Sequence, residues 1–496
     1  MSASPVVPRH LGYREAQVLA RDALAKGREE EALPTVAACA RRADTDAALW
    51  HWAALLLRSL DRRAEALDFI TRAASLAPRN AIVAHARARI LLEAGAPAID
   101  AARAALRLDP NNAEVISCVA AAMLAERRAD EAETLLDETL KRHPGWIAGH
   151  DQLARLRWQM GDHAGSTRSL ERALTAAPRD ASLWSALLIL TIHAERFAEA
   201  RALASQATAL LGPVASIIAN DATAASELRE DEDAERGFGL LAKLNEPSLV
   251  ARHMRHLLRT ARPEAALARA AAIADATLLW PYRQAAWRLL AHPRAEWLEG
   301  DERLVGIYDI AEHLPSIDRL APMLRTLHLA KGQQIDQSVR GGTQTDGALF
   351  ARVEPEIVRL RAAVARAVER HVGQLPPRDA AHPTLRHRRD RPVRFSGSWS
   401  VRLMAAGHHA NHVHPSGWLS SALYVAVPEP GEGKSGWLAL GEPPGDLNLG
   451  LSARRFVEPK PGRLVLFPST MWHGTLPFAA GERLSVAFDV AAPVEQ

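Results

Sequence analysis

Hydrophobic positions follow two different periods along this chain of 496 residues. In the first half, apolar residues recur at helical spacing, so that short segments each carry one apolar stripe. After about residue 392 the period becomes two, and short runs of alternating apolar and polar residues are separated by turns rich in Gly and Pro. The pattern predicts a helical N-terminal part and a C-terminal part built from many short strands.

Prolines divide the helical part at a nearly constant interval. Successive gaps of 32, 34, 34, 35, 34 and 34 residues separate Pro78, Pro110, Pro144, Pro178, Pro213, Pro247 and Pro281. Small residues such as Ala53 and Ala66 recur inside the units, where they let two helices approach closely. Each proline is expected to end the second helix of a unit, and Gly161 with Asp162 to form the turn inside one unit.

This period resembles that of tetratricopeptide repeats, which are helix–turn–helix units of about 34 residues that stack into a superhelix. The resemblance covers residues 10–281 and is strongest before Pro213. It implies an α-solenoid whose concave surface binds a protein or peptide partner. A generic helical bundle with coincidental prolines is the alternative.

Residues 282–392 are predicted to form a helical bridge and the start of the C-terminal region. A long amphipathic helix is expected over residues 354–372, because apolar positions recur there at helical spacing. The Gly-rich segment 338–345 is predicted to be a structural or lid loop, since no preceding strand or lysine supports phosphate binding. The basic run 386–391 is interpreted as an exposed loop, with contact to an anionic partner as the alternative.

Strands are expected over residues 396–403, 419–427, 437–440, 463–467 and 484–490. Many short strands with turns between them predict a double-stranded β-helix, a jelly-roll or cupin-like domain, over residues 393–496. The chain is therefore expected to be an α+β multidomain protein in which the repeat solenoid precedes this barrel.

Histidines cluster in the predicted barrel. His412 and His414 lie two residues apart on an extended segment, so both side chains can point into one cavity. His473 follows the predicted strand 464–468 and can supply a third ligand to the same cavity. Three ligands on one face of an octahedron leave positions open, as a non-heme Fe(II) centre requires. Arg483 and Ser485 alternate on the last predicted strand, so both are expected to face inward.

Five sequence blocks resemble, in order and spacing, bacterial proteins in which tetratricopeptide repeats are fused to an Fe(II)/2-oxoglutarate-dependent oxygenase. The blocks are residues 412–428, 436–438, 461–469, 472–475 and 483–488. The resemblance is close over residues 395–490 and looser back to about residue 290. It implies that Fe(II) is held by three histidines, His412, His414 and His473. It also implies that 2-oxoglutarate and O2 are co-substrates, and that the far carboxylate of 2-oxoglutarate is bound by Arg483, Ser485 and Tyr424.

His414 departs from the wider superfamily, in which Asp or Glu supplies the second ligand of this motif. A histidine leaves the metal more cationic than a carboxylate would, although imidazole is a good Fe(II) ligand. A site held by His412 and His473 alone is the alternative. His408 and His409 are candidates for groups that support the ligands.

The predicted function is that of a dioxygenase that hydroxylates a protein or peptide recruited by the repeats. Two alternatives stay open: a non-catalytic scaffold with a degenerate barrel, and an oxygenase acting on a small molecule. The formal charge of +3 is spread among alternating acids and bases, which does not predict a nucleic-acid surface. Cys39 and Cys118 are expected to be buried thiols. A cytoplasmic location is expected, because neither a signal pattern nor a membrane-length apolar run occurs.

Overall fold

The computed structural model describes residues 12–273, 275–429 and 431–494, so the outermost predicted boundaries, residues 10 and 496, lie outside the described residues. The α-helices are α1 (Tyr13–Lys26), α2 (Glu29–Arg42), α3 (Ala47–Ser59), α4 (Arg63–Leu76), α5 (Ala81–Glu93), α6 (Ile99–Leu108), α7 (Ala113–Ala125), α8 (Ala129–Arg142), α9 (Ile147–Gln159), α10 (Arg168–Ala176), α11 (Ala181–His193), α12 (Phe197–Leu211), α13 (Ala215–Glu227), α14 (Asp231–Leu240), α15 (Pro247–Arg259), α16 (Pro263–Ala270), α17 (Trp280–Leu289), α18 (Arg294–Glu299), α19 (Ile317–Thr326) and α20 (Pro355–Gln374). The strands are β1 (Gly306–Asp309), β2 (Val339–Gln344), β3 (Phe395–His412), β4 (Leu419–Ala426), β5 (Leu438–Leu440), β6 (Arg455–Val457), β7 (Arg463–Pro468), β8 (His473–Thr475) and β9 (Arg483–Val490).

Helices α1 to α16 form eight consecutive helix pairs, and the first helices of neighbouring pairs also pack on each other. Ala53 and Ala66 are buried between α3 and α4, as the small-residue pattern predicts. Asp46, Asn80 and Asn112 cap the first helices α3, α5 and α7 by accepting two backbone N–H groups each. This stacked array of helix pairs confirms the predicted α-solenoid.

Five of the seven periodic prolines lie two residues after the last residue of a second helix, as predicted. They are Pro78, Pro110, Pro144, Pro178 and Pro213. Pro247 and Pro281 lie instead in the first turn of α15 and α17, so the expectation that they end a helix was wrong. Proline is tolerated there because the first N–H groups of a helix have no partner within the helix.

The strands form one curled antiparallel sheet with the order β1-β7-β4-β9-β3-β8-β5-β6, and β2 pairs with β3. This sheet confirms a C-terminal domain of the jelly-roll or cupin-like kind after the helical array. Helix α20, predicted over residues 354–372, buries Ile357, Leu360 and Val364 against side chains of β4, β7 and β9. Helix α19 contributes Leu320 and Leu324 to the same core.

The prediction of a loop over residues 338–345 was wrong, because strand β2 occupies most of that segment. The register with β3 shifts between Arg340 and Gly342, and Gly341 adopts a φ of 66°. A Cβ atom at Gly342 would lie 2.4 Å from the carbonyl oxygen of Arg402. Gly341 therefore permits a β-bulge, and Gly342 permits a close approach to the backbone of β3. Both are common reasons for a glycine within a strand.

The part of the chain after the repeats contacts every one of the eight helix pairs at or beside the turn between its two helices. The contacts are Glu30 with Arg394, Asp61 with Arg361, Ala94 with Val353, Arg127 with Thr326, Gln159 with Lys331, Glu195 with Arg340, Arg229 with Asp446 and Arg259 with Asp446. The turn edge of the solenoid thus lies along the bridge and the barrel that follow it. The basic run 386–391 takes part in this junction, since Arg386 pairs with Asp275 and Arg391 with Glu31.

A buried carboxyl group lies at the junction of α18 with the barrel. Glu299 accepts a hydrogen bond from Gln284 Nε2 at 2.9 Å, and its Oε2 lies 3.5 Å from Arg454 Nε. Burial raises the pKa of Glu299 to about 7 from its ordinary value of 4.5. Since the unfolded chain releases this proton first as the pH rises, the group lowers the free energy of unfolding progressively between those two pH values.

Glu299→Gln is expected to remove this pH dependence. Relative to wild type, the variant should gain roughly 1 to 3 kcal/mol in free energy of unfolding between about pH 5 and pH 7.5, measured by urea unfolding at both pH values. Glu296→Gln is the matched control on the same helix, because an ion pair with Arg454 lowers the pKa of Glu296. If the free energies of unfolding of Glu299→Gln and wild type changed equally between the two pH values, the expectation would be contradicted.

No helix among the residues described is long and apolar enough to cross a membrane.

Candidate metal centre

Three histidines meet where the end of β3 pairs with β8. His412 is the last residue of β3 and His473 the first of β8, and the two are directly paired in the sheet. His414 follows two residues later on the extended chain. One ligand atom from each of the three histidines lies within 4.8 Å of the other two. The structure therefore brings together the three histidines that the sequence singled out.

Each of the three rings is held through its Nδ1 atom. Nδ1 of His412 donates to the carbonyl oxygen of Ala410 at 2.8 Å, and Nδ1 of His473 donates to that of Met471 at 3.0 Å. Nδ1 of His414 lies 2.8 Å from Oδ1 of Asp489. A proton on Nδ1 leaves the lone pair on Nε2, so this tautomer presents Nε2 of every ring as a metal ligand.

Burial favours the neutral, metal-binding form of two of these rings, those of His412 and His473. It lowers the pKa of His412 to about 3 and that of His473 well below its ordinary value. Neutral imidazoles are required for coordination, because a protonated ring has no free lone pair. Three imidazole nitrogen ligands on one side of a cavity fit a divalent transition metal with open positions.

Arg483 begins strand β9 and lines the same cavity as the three histidines. It is only 2% exposed, and its Nε and Nη1 atoms have no hydrogen-bond partner among the described residues. Burial lowers the pKa of this guanidinium. An unpaired buried cation is costly, and unpartnered guanidinium N–H groups are suited to a carboxylate. The site therefore fits an anionic co-substrate beside a metal ion.

Ser485 and Tyr424, also predicted to contact the co-substrate, are placed differently with respect to the cavity. Ser485 lies two residues after Arg483 on β9 and lines the cavity. Tyr424 is the partner of Ser485 across the β4–β9 ladder, and its ring lies 4.9 Å from Cζ of Arg483. The buried ring packs with Val465 and Phe467, where it supports the guanidinium through a cation–π contact.

Two side chains at the site were not predicted from the sequence. Asp489 holds His414, and Oγ of Ser338 lies 3.2 Å from Nε2 of His412 and 3.1 Å from Nδ1 of His409. Asp489 is the only acidic residue within the apolar strand β9, which is a signal that could have identified it. Ser338 gave no comparable signal, because it is the first residue of the segment that the sequence predicts to be a loop.

The segment before Ser338 also connects the candidate metal centre to the repeats. Ile335 is buried in the hydrophobic cluster formed by helices α9 to α13. The backbone N–H of Lys331 donates to the carbonyl oxygen of Gln159, at the end of α9. His409 lines the cavity next to Ser338, whereas Nδ1 of His408 lies 3.4 Å from the carbonyl oxygen of Ala406.

Fold and site define a helical-repeat protein whose C-terminal barrel carries three histidines and a buried arginine in one cavity. Residues 397–489 match the family model described as "Putative 2OG-Fe(II) oxygenase". That span contains His412, His414, His473, Arg483, Ser485 and Tyr424. The resemblance of the C-terminal domain to this oxygenase family is thereby confirmed. No curated protein matches the chain.

Several solved structures of helical-repeat proteins are similar to part of the chain. MamA from Desulfovibrio magneticus RS-1 is 16% identical, with 34% of this chain and 97% of that chain covered and a TM-score of 0.30. A tetratricopeptide repeat protein from Parabacteroides merdae ATCC 43184 is 21% identical, with 48% and 95% covered and a TM-score of 0.30. TTC0263, a repeat protein from Thermus thermophilus, is 20% identical, with 35% and 95% covered and a TM-score of 0.27. Because these scores are low, the solenoid fold rests on the helix pairs themselves.

Proposed function

We propose that this protein is an Fe(II)- and 2-oxoglutarate-dependent dioxygenase that hydroxylates a protein or peptide substrate. The observation that carries the proposal is the convergence, in one cavity, of ligand atoms from three histidines and a buried arginine with unpartnered N–H donors. Neither group has an evident structural role that would repay the cost of its burial. Co-substrate consumption by the purified full-length chain tests the proposal.

The chain's own residues would bind and orient the reactants. His412, His414 and His473 would hold the metal, and Arg483 with Ser485 would hold the far carboxylate of 2-oxoglutarate. Bound Fe(II) supplies the redox chemistry by which one O2 converts 2-oxoglutarate and a C–H bond into succinate, carbon dioxide and a C–OH group. Phe467, Leu438 and Val401 line the cavity with apolar surface, which limits the access of water.

The solenoid offers a groove for a protein or peptide on its first helices. Residues of α3 and α5, including Trp52, His51 and Ile82, line one end of this groove. It continues along α5, α7 and α9, past His85 and Trp146. The barrel occupies the turn edge of the repeats, so this helix face is left open. Exposed apolar and aromatic side chains in a concave surface favour recognition of a peptide segment.

One observation favours the alternative of a small-molecule substrate. Contact of all eight helix pairs with the part of the chain after the repeats would also suit repeats that serve only to support the oxygenase domain. We propose a cytoplasmic location for either substrate class, because the buried thiol of Cys118 is free, as suits a reducing compartment. A nucleic-acid partner is not proposed, because the arginines at the domain junction pair with carboxylates of the same chain.

Ile82→Glu is expected to reduce capture of a protein substrate by the full-length chain by about tenfold or more, because a charge replaces an exposed apolar contact in the groove. Captured protein should gain the mass of one oxygen atom with wild type when Fe(II) and 2-oxoglutarate are supplied. The full-length chain is the appropriate bait, because residues 1–281 alone would expose the turn edge that contacts the barrel.

Leu240→Glu is the matched control for the groove variant. Leu240 is 71% exposed and Ile82 is 70% exposed, but Leu240 lies on α14, a second helix outside the groove. Equal capture by wild type and both variants would contradict a role for the groove. Oxidation of a small molecule without any captured protein would favour the alternative substrate class.

A further inference from the structure

We infer that Asp489 is a positioning residue that makes His414 a metal ligand and provides the negative charge that the three histidines lack. The inference deepens the proposed function, because it concerns the same metal site and rests on that site binding a metal. It also chooses between the two ligand sets that the sequence left open. With Asp489 in place, His414 is a third ligand rather than a neighbour of a two-histidine site.

The carboxylate of Asp489 is fixed in the middle of the sheet. Asp489 pairs with Gly397 of β3 on one side and with Ser420 of β4 on the other. Its Oδ1 accepts a hydrogen bond from Ser420 Oγ at 2.6 Å and one from His414 Nδ1 at 2.8 Å. The side chain is 13% exposed. The ladder on both sides therefore fixes the position of this carboxylate before any metal binds.

This contact differs in kind from those that hold the other two rings. His412 and His473 donate to backbone carbonyl oxygens, which are neutral acceptors. His414 alone among the three donates to an ionisable side chain. A carboxylate fixes the tautomer as a carbonyl does, and it also makes the imidazole a stronger donor to the metal. The effect of Asp489 can therefore be tested by substitution, whereas the backbone contacts cannot.

The negative charge of Asp489 lies beside His414 rather than directly on the metal. In a site with two histidines and one carboxylate, the negative charge is bound directly to the metal. Here the corresponding charge lies one imidazole ring farther away, on the far side of His414. Polarisation of the Nδ1–H bond toward Asp489 transfers part of that charge to Nε2. The three-histidine site thereby becomes less cationic than its ligand set alone suggests.

The test is an anaerobic metal titration of the full-length chain as wild type, Asp489→Asn and Asp489→Ala. Fe(II) and Zn(II) are the probes, and binding is followed by calorimetry. We expect Asp489→Asn to bind either metal about 10- to 100-fold more weakly, because the side chain keeps an acceptor oxygen but loses its charge. Asp489→Ala should bind more weakly still, since it loses the acceptor as well.

Asp309→Asn is the matched control. Asp309 lies on β1 of the same sheet and makes a comparable contact, accepting from Arg463 Nε at 2.9 Å, away from the histidines. Its metal affinity should equal that of wild type. Thermal unfolding without metal checks that the Asp489 variants fold, and an unchanged midpoint in Asp489→Asn makes its weaker binding a property of the site.

A double-mutant cycle tests whether Asp489 acts through His414. In a His414→Ala background, Asp489→Asn should cause no further loss of metal affinity, because the ring that transmits the effect is gone. Additive losses would overturn the inference, as would wild-type metal affinity in Asp489→Asn. These results would leave the oxygenase proposal intact if 2-oxoglutarate still binds the metal complex.

A different combination of results would distinguish the positioning role of Asp489 from the proposed oxygenase function. If metal affinity depends on Asp489 and His414 as expected but 2-oxoglutarate never perturbs the bound Fe(II), the positioning role stands and the oxygenase function fails. If the wild-type chain binds neither metal, both are overturned.

Discussion

Arg483→Ala is expected to abolish 2-oxoglutarate-dependent succinate formation, with kcat/KM for 2-oxoglutarate falling by about 100-fold or more. The guanidinium is buried in the cavity, and two of its nitrogen atoms have no partner among the described residues. A dicarboxylate that pairs with it gains two charge-assisted hydrogen bonds in a site of low polarity. Alanine removes both the charge and the fork of donors. Succinate release and carbon dioxide release measured together report the effect.

Two further variants make this result specific. Arg483→Lys keeps the charge but not the planar pair of donors, so we expect activity between that of wild type and alanine. Arg463→Ala removes an arginine at the start of β7 whose partner is Asp309, and it should leave the reaction unchanged. Fe(II) affinity should persist in all three variants. Full succinate formation by Arg483→Ala would show that another group binds the co-substrate.

The architecture of the two parts could be predicted from local sequence signals. The proline spacing identified the helix pairs, and alternating residues in 484–490 identified the strand that became β9. Strand β2 was missed because a run containing Gly341 and Gly342 has the composition of a loop. Its strand conformation depends on pairing with β3, which a local pattern does not contain.

The packing of the solenoid on the barrel could not be predicted for the same reason. Asp61 and Arg361 are 300 positions apart in the chain, yet they meet in the structure. Both were ordinary charged residues, Asp61 between two predicted helices and Arg361 on the predicted helix 354–372. Which of many such residues face each other depends on the curvature of the repeat array, a property of all helix pairs together.

Some residues of the candidate site could likewise be predicted from local sequence, whereas others depend on tertiary structure. The spacing of His412 and His414 and the alternation of Arg483 and Ser485 are local, and the structure places all four around one cavity. Asp489 reaches His414 only because β4, β9 and β3 lie side by side in a particular register. A shift of one residue in that register would move its side chain to the other face of the sheet.

Replacing any one of His412, His414 and His473 by alanine is expected to weaken Fe(II) binding by more than the roughly 10- to 100-fold typical of groups behind the ligands. Each ring has a hydrogen bond at Nδ1 that leaves Nε2 for the shared site, so each substitution should remove one of three bonds to the metal. Anaerobic Fe(II) titration in the presence of 2-oxoglutarate measures the loss through the metal-to-ligand charge-transfer band. The band requires both the metal and a chelating keto acid, so it reports an assembled centre.

His408→Ala is the matched control, because His408 lies on β3 near the same end but beside the carbonyl oxygen of Ala406. It should keep the wild-type band. Loss of the band in all three ligand variants would establish a three-histidine centre. If the band survived in His414→Ala alone, the metal would be held by His412 and His473, with an additional open position. Because an added open position admits water, that outcome would also predict a greater share of 2-oxoglutarate turnover uncoupled from substrate hydroxylation.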